Sequence, residues 1–113
     1  MSRYDVIIIG AGPGGIFAAY ELAKKAPELK VAVFEAGNSL EKRKCPIDGK
    51  KIKSCINCKT CAIMSGFGGA GAFSDGKYNI TNDFGGTLYE YIGKDTAIDL
   101  MKYVDEIGRA SCR

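Results

Sequence analysis

The stretch Tyr4-Asp5-Val6-Ile7-Ile8-Ile9-Gly10-Ala11-Gly12-Pro13-Gly14-Gly15 decides how the rest of the chain is read. Tyr4 to Ile9 is a β-branched run with no polar residue after Asp5. That is the pattern of a strand covered on both faces in a parallel sheet, so a central strand is predicted. From Gly14 the period changes. Ile16, Ala19, Ala23 and Ala26 recur at helical spacing, Phe17 and Tyr20 widen the same face, and Pro27 makes continuation costly. Lys30 to Phe34 returns to strand character and ends at Glu35, with Gly37 shortly after. The first 36 residues therefore spell strand, helix, strand, and a right-handed crossover makes the two strands parallel.

The glycines satisfy G-x-G-x-x-G, a weak signal alone that gains force from its setting. They follow a predicted strand, open a predicted helix, and precede an acid, Glu35, by 20 positions counted from Gly15. Gly10 permits the tight turn, Gly12 has no Cβ to block a pyrophosphate, and Gly15 lets the helix pack closely on the strand. Pro13 and Gly14 are further cofactor-binding candidates at the head of the helix, whose N–H groups and positive dipole end suit phosphates. Glu35 can accept a hydrogen bond from a ribose hydroxyl, and its charge would repel a 2′-phosphate, which disfavours NADP here. The competing reading is an ordinary strand-to-helix turn with a solvated acid at the strand end. Periodicity does not separate FAD from NAD, since both present adenosine diphosphate.

With 113 residues, one domain is the ceiling, and 46% hydrophobic content argues against disorder throughout. His is absent, which removes imidazole bases and His-bound zinc, and the net charge of +3 is modest. The most apolar stretch, Val6 to Tyr20, is too short and too broken by glycine and Pro13 for a membrane span. The residues before it lack the cationic start of a secretory leader. The expected location is cytoplasmic, with no membrane partner.

Four of the five cysteines, Cys45, Cys55, Cys58 and Cys61, fall within seventeen residues. In a reducing compartment this reads as metal binding or redox chemistry before structural disulfides. Four thiolates are the number a tetrahedral zinc or a [4Fe-4S] cluster requires. A redox dithiol, Cys55/Cys58 or Cys58/Cys61, and simple free thiols are the other readings. Between Glu41 and Cys61 lie seven cations and two anions, a local balance of +5. These cations either compensate an anionic cluster or form a solvated surface. No aromatic residue is interleaved among them, so nucleic acid is a disfavoured partner.

Gly66 to Gly76 holds five glycines in eleven residues, which predicts a loop able to lay bare backbone against a ligand. Thr87 to Ile92 reads as a short helix ended by Gly93. Asp95 or Thr96 could cap a longer one carrying Ile98, Met101, Tyr103 and Val104, whose spacing favours packing. From Ile107 the helical pattern is expected to break. Residues 107–113 match the translation of a common sequencing-library adapter, which would end the genuine sequence near Glu106 and leave Cys112 without function.

The opening Tyr4 to Gly15, with Ala19 and then Phe34-Glu35-Ala36-Gly37, resembles FAD-dependent oxidoreductases of the glutathione-reductase-like flavoprotein superfamily. Cys45-Pro46, the cysteine triplet and Ser65 to Lys77 resemble a bacterial group of FAD-dependent, or NAD(FAD)-utilising, dehydrogenases. Gly76 to Asn82 is similar to a G-R-C-N-x-T-N signature of related flavoproteins, with Lys77 and Tyr78 in place of Arg and Cys. The resemblance implies a Rossmann-like FAD-binding βαβ unit over residues 1–37, at the N-terminus of an incomplete α/β domain spanning 1–106. A Cys- and Gly-rich insert over 38–86 and a helical part over 87–106 would follow. It implies FAD as cofactor, NAD(P)H as a candidate electron donor, and Ala36, Arg43, Lys77 and Asn79 as further cofactor-binding candidates. An unidentified small-molecule substrate and the remainder of its own polypeptide are the expected partners. The catalytic residues are not identified. A zinc-containing module that binds nucleotide or RNA, or an RNA-modifying flavoprotein, is the alternative function.

Overall fold

The computed structural model describes residues 3–111. The chain divides into two compact units, the first running to Ser74 and the second starting at Asp75.

The first unit is built on β1 (Val6–Ile9), α1 (Pro13–Lys25) and β2 (Val31–Phe34). The strands are parallel, with Val6 opposite Val31, Ile7 opposite Ala32, Ile8 opposite Val33 and Ile9 opposite Phe34. At the start of the pair, the Asp5 amide donates to the Lys30 carbonyl (2.9 Å), and the Lys30 amide donates to the Asp5 carboxylate (2.8 Å). At the other end the Gly10 amide donates to the Phe34 carbonyl (2.7 Å), so the ladder leads directly into the glycine turn. Helix α1 begins at Pro13, whose missing N–H is no loss in a first turn. It closes with the Ala26 amide on the Leu22 carbonyl (2.8 Å), just before Pro27. Lys24 and Lys25 occupy the last turn, where cations favour the helix dipole, and Lys25 pairs with Glu21 (2.6 Å). The strand-helix-strand order stands, with both strands slightly shorter than the sequence runs.

The expectation of a strand covered on both faces is corrected. Val6 and Ile8 are half-buried, whereas Ile7 and Ile9 are 57% and 82% exposed. Side chains alternate across a strand, so one helix covers one face only. No layer among the described residues covers the other.

After β2 the chain makes short 3-10 turns at Leu40–Lys42 and Ala70–Phe73, with neither helix nor strand between them. The expected Cys- and Gly-rich region is thus irregular backbone.

The second unit carries α2 (Leu88–Ile92) and α3 (Lys94–Ser111), which pack on each other with Ala97 only 1% exposed. The cap expected at Asp95 or Thr96 is displaced to Gly93. The Gly93 amide donates to the Tyr89 carbonyl (2.9 Å), closing α2, while its carbonyl accepts the Ala97 amide (3.1 Å), opening α3. One residue therefore ends one helix and starts the next. The expected break at Ile107 is also corrected, because α3 continues to Ser111. Arg109 donates to Asp105 one turn earlier (2.8 Å), an i,i+4 pair that supports the last turns. Cys112 and Arg113 lie outside the described residues.

No helix among the described residues is long and apolar enough to cross a membrane.

Candidate functional site

The site grows from the turn between β1 and α1. Gly10 has φ +98°, a conformation that a side chain would strain. Gly15 faces the opposite constraint: a Cβ there would overlap the Gly10 carbonyl and come within 3.3 Å of an Ile8 methyl. Helix and strand thus touch through bare backbone. Gly12 and Gly14, by contrast, have nothing within 4 Å of a Cβ position, so their side of the loop is open. Gly12 is the N-cap, no side chain caps the helix, and the first intrahelical bond runs from the Ile16 amide to the Gly12 carbonyl (2.9 Å). The Gly14 and Gly15 amides of the first turn therefore have no intrahelical acceptor.

Glu35 stands at the end of β2, half-buried, and gathers three backbone donors. Its Oε2 accepts the Ala11 amide (2.8 Å), and its Oε1 accepts the amides of Gly37 (2.8 Å) and Gly66 (3.0 Å). The Ala11 amide above all, then those of Gly37, Gly66 and Ala36, hold this carboxyl below the ordinary glutamate range against the smaller opposing effect of burial. Glu35 is thus a fixed carboxylate. Oε2 faces the Ala11 amide of the glycine turn, and Oε1 the amides of Gly37 and Gly66. Ala36 contributes through its backbone only, as one of the N–H groups that lower the Glu35 pKa.

The Gly-rich loop closes over the same turn. The Gly68 amide donates to the Ala11 carbonyl (2.8 Å) and the Phe67 amide to the Asn38 carbonyl (3.1 Å). A Cβ on Gly69 would lie 3.2 Å from Gly12 Cα and 3.4 Å from Pro13 Cδ. Glycine backbone thus packs on glycine backbone. Ala11, Ile16, Ala19, Val33, Glu35 and Phe67 line a cavity of about 380 Å³ beside the turn. This lies within the range of small-molecule sites, about 300–1,000 Å³.

Arg43 has a different setting from that expected of a cofactor ligand. It is 4% exposed and donates to three carbonyls: Nε to Ala62 (2.9 Å), Nη1 to Phe67 (2.6 Å) and Nη2 to Ile63 (2.7 Å). Its guanidinium also lies 4.7 Å from the Phe73 ring centre. It clasps the end of the cysteine segment to the Gly-rich loop. Lys77 and Asn79 belong to the second unit and are exposed, with Lys77 paired to Asp75 (3.2 Å).

Cys45, Cys55, Cys58 and Cys61, with Pro46, Ile47, Ile56, Asn57 and Ala62, line a second cavity of about 290 Å³. All four thiols are free, three exposed and Cys61 half-buried. Among the described residues, no three His, Cys, Asp or Glu side chains are assembled closely enough to hold a metal ion. Sequence reasoning brought these four together by spacing. It missed Ala11, Gly37 and Gly66 as donors to Glu35, and Phe67 as a cavity wall. Ala11 and Gly66 leave no local pattern because they lie 24 and 31 positions from Glu35, whereas Gly37 is only two residues away and its bond is a local turn.

The Thi4 family matches residues 1–41, the segment that carries the glycine turn and both strands. Thiamine thiazole synthases of Yarrowia lipolytica and Phaeosphaeria nodorum are each 64% identical over 33 residues, 29% of this chain and 10% of theirs. An uncharacterized protein of Clostridium beijerinckii is 39% identical over 71 residues, 63% of this chain and 13% of its own length. The matched stretch thus spans only about a tenth of these relatives. No solved structure matches the chain. The resemblance to bacterial dehydrogenases is narrower than these matches support: they mark the fingerprint segment without fixing a reaction type.

Proposed function

We propose that this chain is the N-terminal segment of a flavin-dependent oxidoreductase, a dehydrogenase, and that its first unit holds the adenosine diphosphate half of FAD. The observation that carries this reading is the open backbone of Gly12 and Gly14 at a helix N-terminus, beside a fixed Glu35 carboxylate at a cavity of about 380 Å³. The first-turn amides of α1 would receive the pyrophosphate. The Glu35 carboxylate would accept a ribose hydroxyl, and Ile16, Ala19 and Val33 give the cavity an apolar lining suited to a sugar face or base edge. When bound, the flavin supplies hydride or electron transfer. This chain's own residues bind and orient one end of it and keep a fixed negative charge beside the ribose.

The similarity to thiamine thiazole synthases is confined to a stretch of about the fingerprint's length, so it supports nucleotide binding more than thiazole synthesis. The 71-residue match to the clostridial protein is too long to lie within residues 1–41 and supports kinship reaching into the insert. NAD(P)H as the electron donor and a small-molecule substrate complete the proposal.

The test is calorimetric titration of FAD, ADP and NAD into the purified chain and its Gly12→Val variant. FAD and ADP should bind the parent, and the valine, pointing into open space on the phosphate side, should weaken both by at least about tenfold, or about 1.4 kcal/mol. Equal affinity for parent and variant would overturn the assignment, and binding of NAD alone would overturn the choice of flavin.

A further inference from the structure

We propose that Cys45, Cys55, Cys58 and Cys61 form a tetrathiolate metal site, a proposal that stands apart from the nucleotide reading because it uses only residues 42–63. Three observations carry it. The first is the shared cavity: all four thiols, separated by up to sixteen positions in sequence, line one space of about 290 Å³.

The second is how the hollow is closed. Arg43 lies two residues before Cys45, and two of the carbonyls it grips, Ala62 and Ile63, directly follow Cys61. The guanidinium therefore ties together the two ends of the thiol-bearing loop. Between Cys45 and Cys55 the Asp48 carboxylate accepts the amides of Lys50 and Lys51 (2.8 Å each) and Ile52 (2.9 Å), folding the intervening residues into a compact turn. The outer cysteines are held near the inner pair without any helix or strand.

The third lies within Cys55-Ile56-Asn57-Cys58. The Asn57 amide points at the Cys55 sulfur (3.4 Å), and Asn57 has φ +52°, the one non-glycine residue with positive φ among those described. A tight turn that aims an N–H at the first sulfur of a C-x-x-C pair supplies the outer-sphere hydrogen bond that a metal-bound thiolate accepts. The residue that makes the turn is held in an uncommon conformation.

The four sulfurs line the hollow without converging on a common point at ligand distance. The free energy of metal binding performs that step, as in other small sites whose loop closes only around the ion, and four protons leave as the thiols become thiolates. Four thiolates around a divalent ion make a dianion, and Lys42, Lys44, Lys50, Lys51, Lys53 and Lys59, all exposed, lie in the same stretch of sequence and supply compensating charge. The occupant is a thiophilic metal, either zinc alone or an iron–sulfur cluster.

The experiment is anaerobic reconstitution of the reduced full chain with zinc sulfate, and separately with ferrous iron and sulfide. Metal content, acid-labile sulfide and cysteine alkylation are then measured, with Cys112 as the in-chain control. Stoichiometric zinc without colour identifies the first occupant, and iron with labile sulfide identifies the second. In either case alkylation of the four cysteines should slow at least tenfold while Cys112 still reacts. Asn57→Val, which disfavours the turn, should weaken metal retention about tenfold, whereas Asn57→Gly should keep it. Absence of bound metal in both arms, with all five cysteines alkylated at the same rate, would overturn the proposal. So would full metal retention in the Cys55→Ser/Cys58→Ser double variant.

Discussion

Replacing Arg43 with Met keeps the length and apolar stem of the side chain and removes the guanidinium that three carbonyls share. A buried acceptor left without its donor costs about 1–3 kcal/mol. Ala62 is half-buried, and Ile63 and Phe67 are exposed, so water can reach the freed carbonyls and the low end of that range applies. The expected loss is about 3 kcal/mol for the three, plus a smaller contribution from the ring contact with Phe73. Unfolding free energies run at roughly 0.05–0.15 kcal/mol per residue, so a unit ending at Ser74 holds on the order of 4–11 kcal/mol. The substitution should consume a large share of that. Arg43→Lys keeps the charge but offers a point donor in place of a fork, and should recover less than half of the loss. Urea denaturation followed by far-ultraviolet circular dichroism measures the effect as a shift in midpoint at constant slope. A midpoint for Arg43→Met corresponding to a loss under about 0.5 kcal/mol would refute the clasp.

Two glycines of the turn predict opposite outcomes. Gly15→Ala forces a Cβ into the Gly10 carbonyl and should cost at least about 1–3 kcal/mol, whereas Gly14→Ala meets open space within α1 and should be neutral or stabilise by up to about 1 kcal/mol in the absence of ligand; thermal unfolding distinguishes them. Glu35 has its folded pKa depressed, chiefly by the Ala11 amide, so its contribution is complete above the ordinary glutamate range and is lost as pH falls below it. Acid titration of stability should therefore show a shallower loss for Glu35→Gln than for the parent, and identical profiles would remove Glu35 from the acid response.

What the sequence revealed and what it concealed follow from the range of the interactions involved. The strand-helix-strand order was legible because Val6 to Ile9, Pro13 and Pro27 act within a few residues of themselves, through branched side chains and fixed φ. Glu35 was legible by its distance from the glycines. Arg43 read as one cation in a charged run and, by resemblance, as a cofactor-binding candidate, since nothing local says that its partners are the carbonyls of Ala62, Ile63 and Phe67. The docking of Gly66 to Gly69 against Ala11, Gly12 and Glu35 was equally hidden, because backbone approach leaves no signature beyond glycine content. The apolar run of β1 suggested cover on both faces, yet a run of Val and Ile reports only what a strand can bury. At Gly93 the side-chain caps Asp95 and Thr96 were the obvious candidates, and a backbone junction took their place. The helix also passed Ile107, where the pattern of apolar residues stops, and it ran through Gly108, a poor helix former, to Ser111.

The central claim is that the β1–α1 turn and Glu35 together grip an adenosine diphosphate, and amide-resolved NMR during an ADP titration addresses it residue by residue. The Gly12, Gly14 and Gly15 amides should shift most, with Ala11 and Glu35 following, and 2′-phosphorylated ADP should move them far less because of the Glu35 charge. Saturable shifts that leave these five amides in place, or equal responses to the two nucleotides, would contradict the account.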